Sequence, residues 1–345
     1  MLKLDYIKHD CIFIRPGGTS RGVLKTKPSW IIKVSDLETG RFGLGEASII
    51  PKLNPESETD VVNTLQWLKN HINQPAGYLD EYLINIPSVR FGIESALLDL
   101  KNGGNQIYFE SDFIDKEKPI VINGLIWMND FETMKSELEN KVEQGFKCIK
   151  IKVGAIDLAE ELKLVAFARS LSDSLVIRLD ANGAFLPEFA LNTLKTFAEF
   201  NIHSIEQPIK AGQILEMEKL CRVSPIPIAL DEELIGINEP QAKQELIQKI
   251  KPQYIILKPS LLGGIASSEE WIKEAEKIGV GWWLTSALES NIGLNIIAQW
   301  AGKKNHHMPQ GLGTGKLFSN NFEGPLHLIG EELYYNPKCP INSPL

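Results

Sequence analysis

The sequence predicts an α/β protein built on a (βα)8-type barrel preceded by an α+β module, and three observations carry that expectation. Short apolar strands alternate with amphipathic stretches of helical length from about Pro119 to about residue 310. The strand-like runs end near Leu125, Lys152, Asp180, Glu206, Asp231, Lys258, Thr285 and Gln310, about 25 to 28 residues apart, which gives eight βα units. At 345 residues the chain also exceeds the roughly 250 residues of a plain barrel by about one small domain.

The first hundred residues supply that extra domain. Strand-like runs at Cys11–Arg15, Trp30–Leu37 and Arg41–Ile49 read as an antiparallel meander, with Thr39-Gly40 suited to the second turn. Two helical patterns follow, Val61, Leu65, Leu68, Ile72 and then Val89, Ile93, Leu97, Leu100, the second preceded by Pro87 and Ser88 at a helix start. The domains expected are 1–117 (α+β), 118–310 (barrel) and a C-terminal segment 311–345 that packs back against the first. That last segment contains Pro and Gly and has no clear period.

In such a barrel the active site lies at the C-terminal ends of the strands, where charged side chains can converge without entering the core. The ends here read CIKIKVG, VIRLDANG, HSIEQP, IALDEE and IILKPS, placing Lys150, Lys152, Asp180, Glu206, Asp231 and Lys258 at the mouth in strand order. Any one acidic residue could merely cap the next helix or pair with a lysine. Three on neighbouring strands repel one another and need a compensating cation, so Asp180, Glu206 and Asp231 are candidate ligands for Mg²⁺, with Mn²⁺ as a substitute. Lys150 and Lys152 share strand parity and both point inward. A cation and a neighbouring ammonium lower a lysine pKa, so the pair can supply a neutral amine to remove a proton α to a carboxylate. Lys258 faces them across the pocket.

The K-x-K, D-A-N, E-Q-P, D-E and K-P-S runs, with GLGEASIIP, PSVRFGIESALLDL and ESNIG, make the chain resemble the enolase superfamily, muconate-lactonizing subgroup, over nearly its whole length. The resemblance implies a Mg²⁺ enzyme whose α+β capping domain, formed by the N-terminal region and the C-terminal tail, closes over the barrel. By motif matching it makes Lys152 the acid/base, Lys150 an aid to enolate stabilisation, and Asp180, Glu206 and Asp231 the metal ligands.

Members share α-proton abstraction and differ in the fate of the enediolate. If a hydroxyl departs, Lys152 can return its proton to the leaving group while Lys258 acts electrostatically; in a racemisation Lys258 protonates the opposite face. The strand-eight segment HHMPQGLGTG has no D-x-D pair of the kind by which dipeptide epimerases hold an α-ammonium group, and its Gly313-Thr314-Gly315 turn resembles the branch that dehydrates a cyclohexadiene carboxylate. Backbone amides there could receive a substrate carboxylate, or the glycines could only make a turn. Epimerase or N-acylamino acid racemase activity is the alternative, and a non-catalytic metal-dependent binding protein is the reading from another class.

Further candidates for substrate contact are Arg178, which shares parity with Asp180 and either pairs with a substrate carboxylate or closes a buried ion-pair network, Asn182 of the D-A-N run, Ser286 with Gly313 and Thr314, and Ser20 and Arg21 in the glycine-rich loop 17–22, which lacks the G-K-[ST] ending of a phosphate-binding loop. Asn291 is a weaker candidate, and His306 and His307 lack a nearby ligand set.

Composition narrows the partners. A net charge of −8 gives no basic footprint for nucleic acid or anionic lipid, and the partner expected is a small-molecule carboxylate. The N-terminal MLKLDYIKHD lacks a secretory apolar stretch and no run reaches a membrane span, which makes a cytoplasmic location the expectation. The four cysteines are far apart and contain no C-x-x-C pair. Oligomeric state is left open.

Overall fold

A computed structural model describes residues 1–19, 22–116 and 118–345. Strands β1 (Leu2–Thr19), β2 (Gly22–Asp36) and β3 (Phe42–Ser48) form an antiparallel sheet in the order β1-β2-β3. β1 begins at Leu2, well before the expected Cys11. The strand period is present there, since Leu2, Leu4 and Tyr6 all pack on one core, but Lys8 and Asp10 follow on the same parity and break it. After β2 the chain turns through Asp36–Gly40, where the Asp36 carboxylate accepts from Thr39 Oγ1 at 2.8 Å and Gly40 takes φ +70°.

Helices Glu58–His71, Ala76–Leu83 and Pro87–Lys101 cover one face of this sheet. Ser57 and Asp60 close a capping box at the first, and Pro87 starts the third. Trp30, Ile32, Val34 and Ala47 meet Val61, Leu65, Leu68, Val89 and Ile93 in a core of their own. The third helix lies so close to β3 that a Cβ on Gly45 would stand 1.9 Å from the Gly92 carbonyl oxygen, so this contact requires glycine.

A short strand, β4 (Ile120–Val121), precedes the barrel strands β5 (Gly124–Ile126), β6 (Cys148–Lys152), β7 (Val176–Asp180), β8 (Ser204–Glu206), β9 (Ile228–Leu230), β10 (Tyr254–Leu257) and β11 (Gly281–Leu284). β5 to β11 form a curled parallel sheet of seven neighbours. Closure falls to two residues, Gln310 and Gly311, bridging in parallel to Ile122 and Thr285. Gly311 N donates to the Leu284 carbonyl at 2.7 Å and Gln310 N to that of Val121 at 2.9 Å. A Cβ on Gly311 would meet Thr285 Oγ1 at 2.5 Å, which accounts for glycine at the seam.

β12 (Leu326–Ile329) and β13 (Glu332–Tyr335) make a hairpin that pairs with β4, an element the aperiodic tail did not reveal. On either side of it the tail touches the first sheet: Leu317 O accepts from Ile14 N at 2.9 Å, and Ile341 packs on Ile31 and Leu44. Two carboxylates from the N-terminal module cap barrel helices. Glu46 accepts from Ser290 N and Gly293 N at the start of helix Asn291–Lys304, and Glu94 accepts from Ile265 N and Ala266 N at the start of helix Ile265–Glu276. Each places a negative charge on the positive end of a helix dipole. No helix among the described residues is long and apolar enough to cross a membrane.

Asp99 ties this module together by accepting from Leu44 N at 2.9 Å and Gln106 N at 2.6 Å. Burial pushes its carboxyl up to about 6, although those two amides oppose the shift. The folded state therefore keeps a proton that the unfolded chain releases at about pH 4, and stability falls as pH rises from there to about 6. The melting temperature of the wild type relative to D99N is expected to be higher at about pH 5 than at about pH 7; parallel pH profiles for the two proteins contradict this.

Candidate active site

Strand alternation builds the site. Ile149, Ile151, Ile177, Leu179 and Ile205 point outward into the core under the helices, so the residues between them point into the barrel. Register sets Lys150 beside Arg178, Lys152 beside Asp180, and Asp180 beside Glu206. Lys150 Nζ donates to Asp180 Oδ2 at 3.0 Å and to Glu206 Oε2 at 2.8 Å. Lys152 Nζ donates to the same Asp180 oxygen at 2.8 Å and to Asn182 Oδ1 at 2.5 Å. Across the mouth, Lys258 is hydrogen-bonded to Asp231 and lies 3.5 Å from Glu206 Oε1. The six groups form one chain of alternating sign: Lys152, Asp180, Lys150, Glu206, Lys258, Asp231.

The electrostatics differ from group to group. Burial pushes Glu206 up to about 7, reinforced by the charge of Asp180. Burial alone would raise Asp180 too, but Lys150, Lys152 and Lys258 together hold it well below the usual carboxylate range. Asp231 is raised because burial outweighs Lys258. Lys150 and Lys258 are raised: burial lowers each, and the facing carboxylates more than offset it. For Lys150 those carboxylates stand at hydrogen-bond distance.

The donor set suits a divalent cation in kind: three carboxylates from adjacent strand ends, with Glu206 Oε1 buried and accepting no hydrogen bond. Glu206 also lies close enough to Asp231 to hydrogen-bond to it when protonated, so a cation there relieves their repulsion. Lys150 and Lys258 stand between the carboxylates. Consequently no three acidic, histidine or cysteine side chains among the described residues form a ready-made metal cluster.

Above this chain of charges opens a cavity of about 550 Å³. Lys150, Lys152, Asp180, Asn182 and Lys258 reach it from one side, and Ser286, Gly313 and Thr314 from the other. Ser286 and Thr314 share a 2.7 Å hydrogen bond, and Ser286 Oγ also accepts from Leu288 N. Asn182, Gln207 and Leu288, each just past a strand end, take positive φ of 44°, 38° and 64°. Such strain in residues other than glycine is held in place by its surroundings, as at functional sites.

Several sequence candidates fall elsewhere. Arg178 does not line the cavity. It is 1% exposed inside the barrel, donates to Pro309 O and Asn123 Oδ1, and stacks over Trp283 at 4.0 Å. Parity pointed it inward as expected, but its position two residues before Asp180 sets it one layer below the mouth. Asn291 starts a helix and donates to Phe322 O, away from this cavity. His306 packs on Trp282 and His307. Ser20 and Arg21 lie outside the described residues.

Sequence reasoning missed Gln207 and Glu232. Gln207 Oε1 accepts from Asp231 N and Glu233 N, and its Nε2 donates to Ile209 O and Glu233 Oε2. Glu232 accepts from Asn182 Nδ2 at 3.0 Å. Both belonged to motifs already noted, E-Q-P and D-E, and only the fold reveals that they brace the strand ends.

The family model described as Enolase C-terminal domain-like matches residues 133–327. The o-succinylbenzoate synthase of Desulfotalea psychrophila is 44% identical, spanning 95% of this chain and 98% of its own length. The chain belongs to the enolase superfamily. A crystal structure of MenC from Desulfotalea psychrophila superposes with a TM-score of 0.87 at 40% identity, covering 96% of this chain and 99% of that one. The L-Ala-D/L-Glu epimerase of Bacillus subtilis is more distant, at 25% identity over 84% of this chain and 81% of its own. The curled parallel sheet and separate antiparallel sheet are therefore those of a superfamily member.

Gln207 is fully buried, and its loss strands two backbone amides and one end of Glu233. Q207L is expected to lower stability by about 2–4 kcal/mol in urea unfolding. An unchanged midpoint contradicts the bracing role.

Proposed function

We infer that the chain is an o-succinylbenzoate synthase, a lyase that removes water from 2-succinyl-6-hydroxy-2,4-cyclohexadiene-1-carboxylate to give 2-succinylbenzoate in menaquinone biosynthesis. The observation that carries this is 44% identity to such a synthase along nearly the whole of both chains. Epimerase relatives are more distant, and the strand-eight segment, with Gly313 and Gly315 around Thr314, lacks their D-x-D pair.

Asp180, Glu206 and Asp231 are the residues that would hold Mg²⁺, which supplies stabilisation of the negative charge that grows on the ring carboxylate. Lys152 takes the proton from the carbon α to that carboxylate, and the C–H electron pair moves into an enediolate. Asn182 Oδ1 and Asp180 Oδ2 fix the Lys152 ammonium between them and so aim the amine. The enediolate then expels the hydroxyl on the adjacent carbon, Lys152 returns the proton to it, and water leaves with an aromatic ring behind. Lys150 and Lys258 supply positive charge from two sides as the enediolate forms. This assigns Lys152 as the acid/base and the other two as electrostatic partners. The step balances without an oxidant or reductant, because the proton that Lys152 takes and the hydroxide that departs recombine as water.

Purified protein with Mg²⁺ is expected to convert the cyclohexadiene carboxylate to 2-succinylbenzoate, followed by the change in ultraviolet absorbance. EDTA should stop the reaction and added Mg²⁺ or Mn²⁺ restore it. K152A should lower kcat by roughly a thousandfold or more while the protein still binds 2-succinylbenzoate. Absence of turnover by the wild type overturns the reading, and a K152A enzyme of near-normal kcat overturns the role of Lys152.

A further inference from the structure

The substrate of the reaction inferred above carries two carboxylates, one on the ring and one at the end of its succinyl arm. The strand-end lysines serve the first. Arg178, the sequence candidate for the second, is turned into the barrel interior and donates to Asn123 and Pro309. Among the described residues, six cationic side chains line the cavity: Arg15, Lys141, Lys150, Lys152, Lys258 and Lys316. Lys150, Lys152 and Lys258 are engaged by Asp180, Glu206 and Asp231. Arg15 and Lys141 act on Glu137, which burial raises and these two cations oppose. The Lys316 side chain, like those of Arg15 and Lys141, makes no ion pair or hydrogen bond among the described residues, and it stands exposed on the wall beside the Ser286–Thr314 pair.

The backbone that carries Lys316 is fixed on several sides. Thr314 is bonded to Ser286 through the two hydroxyls, and its carbonyl accepts from Leu317 N at 3.2 Å. The Gly315 carbonyl accepts from Asn321 Nδ2 at 2.8 Å, and the Leu317 carbonyl accepts from Ile14 N at 2.9 Å, tying the turn to β1. A Cβ at Gly315 would stand 2.9 Å from Asn291 Oδ1, so the turn sits tight on the helix behind it. A rigid base with a long, unpaired cationic arm suits capture of an anion at the mouth, because little order is lost on binding beyond the lysine side chain itself.

We propose that Lys316 binds the distal carboxylate of the succinyl arm and so sets specificity for a dicarboxylate. This rests on the o-succinylbenzoate synthase reading. Lys316 also stands on the wall of a neighbouring cavity of about 610 Å³ beneath the C-terminal tail, and the test distinguishes the two positions.

Steady-state kinetics with Mg²⁺ and calorimetric binding of 2-succinylbenzoate are compared for wild type, K316M and K316R, with 2-butyrylbenzoate as a probe lacking the distal carboxylate. K316M is expected to raise KM and the Kd for 2-succinylbenzoate roughly tenfold to a hundredfold, with a far smaller change in kcat. K316R should recover most of that loss, and 2-butyrylbenzoate should bind wild type and K316M alike. Wild-type turnover with KM and Kd unmoved in K316M overturns the role of Lys316 and leaves the synthase reading standing. Equal weakening of both probes also overturns it, by showing a general disturbance of the cavity. Absence of wild-type turnover overturns the synthase reading, and this inference with it.

Discussion

Six charges of alternating sign, nearly all removed from solvent, sit side by side at the mouth of this barrel. Taking an ion out of water costs several kcal/mol, repaid only when partners of opposite sign stand at hydrogen-bond distance. Each of Lys150 and Lys258 therefore answers two carboxylates, and Asp180 answers two lysines. Asp180, Lys150, Glu206 and Lys258 each stand between two groups of opposite sign, so loss of one of these four weakens the compensation of both its neighbours. The arrangement also holds what the proposed chemistry needs: oxygen donors that would take a divalent cation, and a lysine, Lys152, held by one carboxylate and one amide.

Everything around the chain of charges keeps it in place. Parity along β6, β7 and β8 turns the charged residues inward and the isoleucines and leucines outward. Gln207 and Glu233 brace the segment that carries Asp231, and Glu232 holds Asn182. From the other module, Glu46 and Glu94 cap the helices that follow β11 and Lys258, so the sheet over the mouth is anchored to the strands that supply the site. Stability and site geometry are thus carried by the same contacts.

Much of this was legible in the sequence for a simple reason. Strand ends that recur at a regular spacing and terminate in a charged residue announce both the barrel and its active face, so seven strands end within one residue of the expected positions. Two-residue periods placed Lys150 and Lys152 on one face without a structure. Parity, however, carries no depth, and that is why Arg178 was assigned to the substrate when it lies a layer below, stacked on Trp283. Lys8 and Asp10, on the parity of Leu2, Leu4 and Tyr6, concealed the start of β1, and the hairpin β12–β13 pairs with β4, a partner some two hundred residues away that no local pattern reports. Bracing contacts such as Gln207 to Glu233 depend on two loops meeting, which spacing alone does not specify.

The carboxylates answered by lysines in this structure are the ones that would take the metal. A crystal structure of the protein grown with Mg²⁺ and 2-succinylbenzoate tests it most directly. The account predicts one cation in contact with Asp180, Glu206 and Asp231 together, with Lys152 facing the ring of the product. A cation bound elsewhere, or an empty site with Lys150 still bridging Asp180 and Glu206 in the presence of bound product, contradicts it.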